Sequence, residues 1–81
     1  MSQNNEDHTG RRARIAGEIR AELARQNKTA SALSKATGIS PATLSRRLRG
    51  DKPFFLEELE DIARFLDLPL SEITGRTEVA A

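Results

Sequence analysis

Apolar residues recur at helical spacing along most of this chain. In the first segment Ile15, Ile19 and Leu23 stand four residues apart, while the arginines fall mostly on the other side of the helical wheel. This spacing predicts an amphipathic helix from about Arg11 to Asn27. Apolar and polar residues nowhere alternate as they do in a half-buried strand, so the pattern predicts an all-α protein.

The second predicted helix is short and is marked by a capping residue. Thr29 stands at the N-cap, where a hydroxyl can accept a hydrogen bond from the first turn. Ala32, Leu33 and Ala36 supply its inward positions, and Gly38 ends it. Because glycine adopts a left-handed backbone conformation without a Cβ clash, the chain is able to turn sharply at this point.

The third predicted helix has the strongest start signal in the sequence. Ser40 occupies its N-cap, and Pro41 occupies the first helical position, where a missing N–H costs nothing. Leu44 and Leu48 share one face, and the helix runs to about residue 49, before Gly50. We expect the two leucines to pack inward.

Two further helices are predicted after the loop that contains Pro53. The fourth has acidic residues in its early turns, where they also favour the helix N-terminus. Its apolar residues Leu56, Leu59, Ile62, Ala63 and Leu66 fall at helical spacing. A fifth, short helix runs from Leu70 to Thr74 and stops at Gly75.

Composition along the chain suggests one domain with two tails. Residues 1–9 are almost wholly polar and are expected to be disordered, residues 10–75 to form the domain, and residues 76–81 to fray. The net charge is only +1, but residues 10–26 carry +3, residues 27–52 carry +5 and residues 53–81 carry −5. A basic half of this kind suits a polyanion.

Several classes of protein are disfavoured by composition. There is no cysteine, and His8 has no second candidate ligand nearby, so we expect no metal and no cofactor. Neither a membrane span nor a signal peptide is present, which predicts a soluble cytoplasmic protein. The carboxylates of the fourth helix have no pocket or nucleophile beside them, so we expect no enzyme.

The segment from Thr29 to Gly50 is the informative part of the chain. Two short helices joined by a tight turn expose one face of the second helix. That face carries small, hydroxylic and cationic side chains: Ala42, Thr43, Ser45, Arg46 and Arg49. Such a face fits the DNA major groove, where an arginine can bond to guanine O6 and N7. The plain alternative for the arginines is a solvated helix face.

The order of a capped helix, Gly, an apolar residue, Ser and a helix ending in Arg-Gly resembles the lambda-repressor and Cro type of helix-turn-helix, the Xre family. The resemblance runs from about Arg11 to Gly75 and includes the Pro-Phe-x-Leu-x-x-Leu-x-x-Ile-Ala segment. It implies a compact five-helix domain with the helix-turn-helix at helices 2 and 3. The string GISPATLSRRL is also similar to the lactose-repressor family, but that family has its motif almost at the N-terminus, followed by a hinge helix.

The resemblance also implies which residues touch DNA. The family reads bases from the start and middle of the third helix, and with Ser45 on the same face the predicted base-reading set is Pro41, Ala42, Thr43, Ser45 and Arg46. Phosphate contacts come from the start of the second helix and from just after the third. With the neighbouring cap and cationic residues, the predicted phosphate set is Lys28, Thr29, Ser31, Ser40, Arg47, Arg49 and Lys52.

Three positions depart from the family pattern. Ala30 stands where a phosphate-binding Gln is frequent, so we expect that phosphate contact either to be lost or to shift to Ser31 or Lys28. Leu48 replaces a frequent Glu, so we expect packing rather than an ion pair to hold the third helix. Phe55 stands where Ser or Thr commonly caps the fourth helix, and it serves either as a partner surface or in packing.

The expected function is sequence-specific binding of double-stranded DNA as a transcriptional regulator, a repressor of the phage immunity or Cro kind. Activation is the open alternative to repression, and a second class is an antitoxin that also binds a protein through its acidic helices. We expect a monomer or weak homodimer that pairs on DNA, with Phe55, Phe65 and Leu68 as apolar candidates for the contact. Arg11, Arg12 and Arg14 either grip the DNA backbone or form a solvated first turn.

Overall fold

Five α-helices make up the part of the chain that the structure describes. A computed structural model describes the backbone of residues 2–75 and the side-chain environment of residues 10–75. The helices are α1 (Ser2–Arg25), α2 (Ala30–Thr37), α3 (Pro41–Leu48), α4 (Leu56–Leu66) and α5 (Leu70–Thr74). The all-α, five-helix prediction is therefore confirmed. No helix within this described part of the chain is long and apolar enough to cross a membrane.

The first helix differs most from its predicted bounds. It begins at Ser2 rather than near Arg11. Once a helix exists, each added residue gains a backbone hydrogen bond, so a polar stretch without an inward face can extend it. The predicted disorder of residues 1–9 stays a prediction, and the predicted frayed tail at 76–81 lies outside the described residues.

The predicted caps of α2 and α3 are confirmed. Thr29 Oγ1 accepts a hydrogen bond from Ala32 N at 3.0 Å, and Ser40 Oγ accepts one from Thr43 N at 3.3 Å. Gly38 closes α2 in the left-handed conformation, with φ at 78°. These local signals set both ends of the turn because each satisfies backbone groups that a helix terminus leaves without a partner.

A single apolar core joins all five helices. Its largest fully buried side chains are Ile19, Leu33, Leu44, Ile62, Leu66 and Ile73. The inward positions of α2 need a correction, since Ala36 is exposed and Ser34 is buried. A serine is tolerated there because its hydroxyl donates to Ile39 O at 2.5 Å, which satisfies the buried polar group.

A side-chain hydrogen bond links the residue that follows α1 to the C-terminal end of α4. Gln26 Nε2 donates to Leu66 O at 2.9 Å and to Glu22 Oε1 at 3.0 Å. The hydrogen bond from Gln26 to the Glu22 carboxylate, together with those from Arg25, holds the pKa of Glu22 below its usual value. The bond to Leu66 fixes the segment that leads from α1 into α2.

The expectation that packing alone holds α3 is wrong. Leu48 is buried as predicted, but Arg47 also forms an ion pair with Glu58 of α4. On the other side, Arg20 of α1 donates to the carbonyl of Leu48 at the C-terminal end of α3. A cation at this end also meets the negative end of the helix dipole. Polar contacts from two helices therefore add to the packing.

Candidate nucleic-acid interface

The turn between α2 and α3 is held by three side-chain hydrogen bonds. Besides the bond from Ser34, Thr37 Oγ1 donates to Leu33 O at 2.8 Å and accepts from Ile39 N at 3.3 Å. Ile39 is itself buried between the two helices. These contacts fix the angle at which α3 leaves the turn. Sequence reasoning missed Ser34, whose only signal is a hydroxyl one turn before a glycine.

One face of α3 stands free of the core. Pro41, Ala42, Ser45 and Arg46 are exposed, as the predicted base-reading set requires. Thr43 is half-buried, and its hydroxyl accepts from Ser40 Oγ at 3.0 Å, so only part of that side chain remains available. An α-helix with its side chains is about 10–12 Å in diameter, which fits a major groove about 12 Å wide.

Residues predicted to contact phosphate flank this face on both sides. Thr29 and Ser31 are exposed at the start of α2, where the first N–H groups and the helix dipole favour an anion. Lys52 is exposed in the loop after α3. Arg49 is also exposed, and it is held by Asp51 Oδ2 at 3.1 Å and by Ser45 Oγ at 3.2 Å.

Two predicted phosphate ligands are held elsewhere. Lys28 Nζ donates to Phe65 O at 2.9 Å and lies 4.7 Å from the centre of the Phe65 ring, so its ammonium group faces the end of α4. Arg47 retains only 15% of its side-chain exposure and is committed to Glu58. Of the two residues expected to replace a glutamine at position 30 as phosphate ligand, Ser31 is thus the exposed one.

Arg47 lies at the centre of a small cluster between α3 and α4. Its guanidinium group is 5.0 Å from the centre of the Phe55 ring, and its Nη1 meets Glu58 Oε1 as an ion pair. Glu58 Oε1 also accepts from Phe55 N at 2.8 Å. This is half of a capping box, because a phenyl ring has no oxygen to accept the return bond. Arg47 Nε is buried with no hydrogen-bond partner among the described residues.

A cationic depression lies between α3 and the loop that follows it. It has a volume of about 320 Å³, and its charged lining consists of Arg46, Arg47 and Lys52. Arg46 and Lys52 take part in no ion pair within residues 10–75. A second depression, on the α2 side of α3, has a volume of about 260 Å³ and includes Ser31 and Ser45. Both edges of the exposed face are thus open to a ligand.

The described residues of this region form no metal-binding site. Among the residues whose side chains are described, no three histidine, aspartate or glutamate side chains come together. The arrangement offers surface contact, hydrogen bonding and positive charge, which suit recognition of an anion.

Comparison with known proteins agrees with this geometry. The family model described as helix-turn-helix matches residues 19–73, from within α1 to within α5. No curated protein matches the chain significantly, and neither does any solved structure. The matched region contains the whole turn and every residue that flanks the exposed face of α3.

Proposed function

This chain belongs to the helix-turn-helix family and is a DNA-binding transcription regulator of the Xre type, and we propose that it acts as a sequence-specific repressor. The family is a regulatory domain that is generally not enzymatic, and it binds double-stranded DNA. The observation that carries the proposal is the exposed face of α3. The opposite face of this helix packs against the core, and cationic side chains lie beside the exposed face on the side of the α3–α4 loop.

Base reading is assigned to the exposed face of α3. Arg46 is the principal reader, since its guanidinium group has no ion-pair partner within residues 10–75 and can bond to both acceptors of a guanine. Ala42 and the methyl group of Thr43 suit contact with a thymine methyl group. Pro41 and Ser45 complete the set at its two edges.

Phosphate contact is assigned to the two flanks of α3. The exposed members of the predicted set are Thr29, Ser31, Ser40, Arg49 and Lys52. Lys28 and Arg47 act instead through the fold, because their charged groups are bound to α4. Phosphate contacts of this kind position the domain on DNA, whereas the base contacts select the sequence.

Repression requires only that the protein bind its DNA site, whereas activation requires a further contact. Occupying an operator is enough to exclude another protein from the same DNA, whereas activation needs an added surface that recruits the transcription machinery. A regulator of the phage immunity or Cro kind works by such occupancy. We therefore place the chain among repressors.

Selection of bound sequences from a random DNA pool tests the proposal. We expect one motif to be enriched, and affinity for it to fall steeply with salt, by about 0.9 in the log–log slope for each phosphate neutralised. Arg64→Ala is the control for loss of a positive charge away from α3, since it removes one exposed arginine from α4. It should bind the same motif as the parent. A pool without enrichment, or a slope near zero, would remove the groove-binding proposal.

A second function, binding of a protein partner in the manner of an antitoxin, is favoured by one observation. Phe55 and Leu56 are 59% and 60% exposed and stand next to the acidic first turn of α4. Large exposed apolar side chains placed side by side are typical of contact sites. A partner recovered at equal stoichiometry, and lost in Phe55→Ser/Leu56→Ser, would support this function.

The same pair is the best candidate for contact between two copies. Of the three apolar residues predicted for this role, Phe55 is exposed, whereas Phe65 and Leu68 are half-buried against the core. We propose a monomer or weak homodimer that pairs on DNA, since so small a module buries little DNA surface alone. Analytical ultracentrifugation at micromolar concentration should show mostly monomer. A tight dimer that survives Phe55→Ser would place the contact on another face.

A further inference from the structure

Another cavity lies between α1 and the loop that joins α3 to α4, next to the proposed DNA-facing surface. It has a volume of about 240 Å³, and its apolar lining consists of Ile15, Pro53, Phe54 and Leu59. Its charged lining consists of Arg11, Arg12 and Lys52. Among residues 10–75 no acidic side chain lines it, so the cavity combines an apolar interior with a cationic set of charged groups.

The loop approaches α1 closely beside this cavity. Gly50 has φ at 85°, and a Cβ atom built on it would lie 3.3 Å from the Cα atom of Ala13 in α1. The start of the loop therefore touches the α1 backbone directly. Leu59 is buried and Ile15 and Phe54 pack against the core, so the cavity opens onto the hydrophobic core itself.

The charged groups at the cavity have no acidic partner among the residues whose side chains the structure describes. Arg11, Arg12 and Lys52 form no ion pair within residues 10–75, whereas four other arginines of the protein do. Lys52 and Pro53 also line the cationic depression beside α3. One short segment of the loop therefore forms part of both the cavity and the proposed DNA surface.

We propose that this cavity binds a small carboxylate with an apolar body, and that such a ligand regulates DNA binding through Lys52. The carboxylate meets the cations, and the apolar body lies against Ile15 and Phe54. A volume below the roughly 300–1,000 Å³ of pockets for drug-sized ligands limits the body to a short alkyl chain or a single ring. A bare phosphate or a DNA backbone phosphate would leave the apolar lining unused.

The regulatory part rests on the proposed function. A carboxylate that holds Lys52 in the cavity withdraws it from the neighbouring phosphate, so ligand and DNA weaken one another. By linkage, the factor by which the ligand lowers DNA affinity equals the factor by which DNA lowers ligand affinity. Binding of the carboxylate itself requires no DNA.

Sodium octanoate is the probe, titrated into the protein alone and followed by amide chemical shifts in NMR. We expect saturable shifts centred on Ile15, Phe54 and Lys52. The Arg12→Gln/Lys52→Gln variant should bind octanoate about tenfold more weakly, because two charge interactions are removed. The matched variant Lys35→Gln/Arg64→Gln removes two exposed cations elsewhere and should bind as the parent does.

Three results would overturn the site. Equal affinity for 1-octanol would mean that no anion is recognised, and equal affinity for inorganic phosphate would make the cations a phosphate or DNA-backbone contact. Shifts that never saturate, or that spread over the whole basic surface, would mean that no site exists.

Regulation is measured separately on the motif selected from the DNA pool. Octanoate should lower DNA affinity in the parent. In Arg12→Gln, which keeps Lys52 but lacks one of the cations that hold the carboxylate, the same loss of DNA affinity should require more octanoate. An unchanged affinity in the parent would overturn the regulatory part. Since the octanoate titration omits DNA and the selection omits octanoate, failure of the cavity and failure of the proposed function are told apart.

Discussion

The two faces of α3 differ in burial and in the partners of their side chains. The inner face consists of Leu44, Arg47 and Leu48, which are buried or committed to other helices. The outer face, which includes Ser45 and Arg46, is exposed. Arg46 and Arg47 are neighbours with the same chemistry, yet within residues 10–75 only Arg47 of the two has an ion-pair partner. Whether an arginine in this helix forms an ion pair therefore depends on the residue that faces it in the fold, since the two side chains are chemically identical.

This difference separates stability from binding. Changes on the inner face should reduce the free energy of unfolding, and changes on the outer face should reduce DNA affinity with the fold intact. Rigid support from behind is what allows the outer face to present its groups in one geometry.

The largest effect is expected from Leu44→Ala. Leu44 is 1% exposed, and its truncation leaves a cavity, so we expect the free energy of unfolding to fall by about 2–5 kcal/mol. Thermal melts measure this change, and Ser45→Ala on the opposite face is the matched control. A Leu44→Ala melting temperature within a degree or two of the parent would contradict a stabilising role for the inner face of α3.

The Arg47–Glu58 ion pair should come next. Arg47→Met keeps the length of the side chain but leaves Glu58 without its cation, and we expect a loss of about 1–3 kcal/mol in unfolding free energy. Urea denaturation of Arg47→Met, Glu58→Gln and the double variant forms a cycle. The double variant should cost less than the sum of the single ones. Strict additivity would show that the two side chains do not stabilise one another.

On the outer face, Arg46→Ala should act on DNA alone. We expect a loss of about 1–3 kcal/mol in binding the selected motif and a relaxed preference at one base pair. Its free energy of unfolding should stay within about 0.5 kcal/mol of the parent, since the side chain is exposed. A destabilised Arg46→Ala protein would contradict the separation of the two faces.

Arg49→Ala tests the boundary between base reading and phosphate contact. It should weaken all DNA sequences about equally and reduce the salt slope by about one unit. Binding-site profiles from the random pool provide the measurement. If the profiles of Arg46→Ala and Arg49→Ala were interchangeable, the two roles would be assigned wrongly.

The smallest effect is expected at Glu22, far from either face of α3. Hydrogen bonds from Gln26 and Arg25 lower the pKa of Glu22, so its contribution to stability is complete above the unfolded pKa. That contribution is lost as the pH falls through the lowered folded pKa. Melting temperatures of Glu22→Gln and the parent should therefore differ slightly at neutral pH and converge in acid. A constant difference at all pH values would exclude this linkage.

The helices and the turn between α2 and α3 could be predicted from the sequence alone, because the signals for them are local. Thr29, Gly38, Ser40 and Pro41 act on backbone groups within one turn of themselves, and the spacing of the leucines in α3 needs only helical geometry. The exposed positions on the outer face of α3 follow from the same periodicity. The start of α1 was harder to place, since no apolar pattern marks the polar residues from Ser2.

Which polar side chains have partners in other helices depends on the tertiary structure. Arg47 meets Glu58 of another helix, Lys28 meets the carbonyl of Phe65, and Arg20 meets that of Leu48. Such pairings depend on how helices distant in sequence come together, and no periodicity within one helix specifies them. For that reason Lys28 and Arg47 match the pattern of phosphate ligands in the sequence but contact α4 in the structure, while Arg46 has no ion-pair partner within residues 10–75.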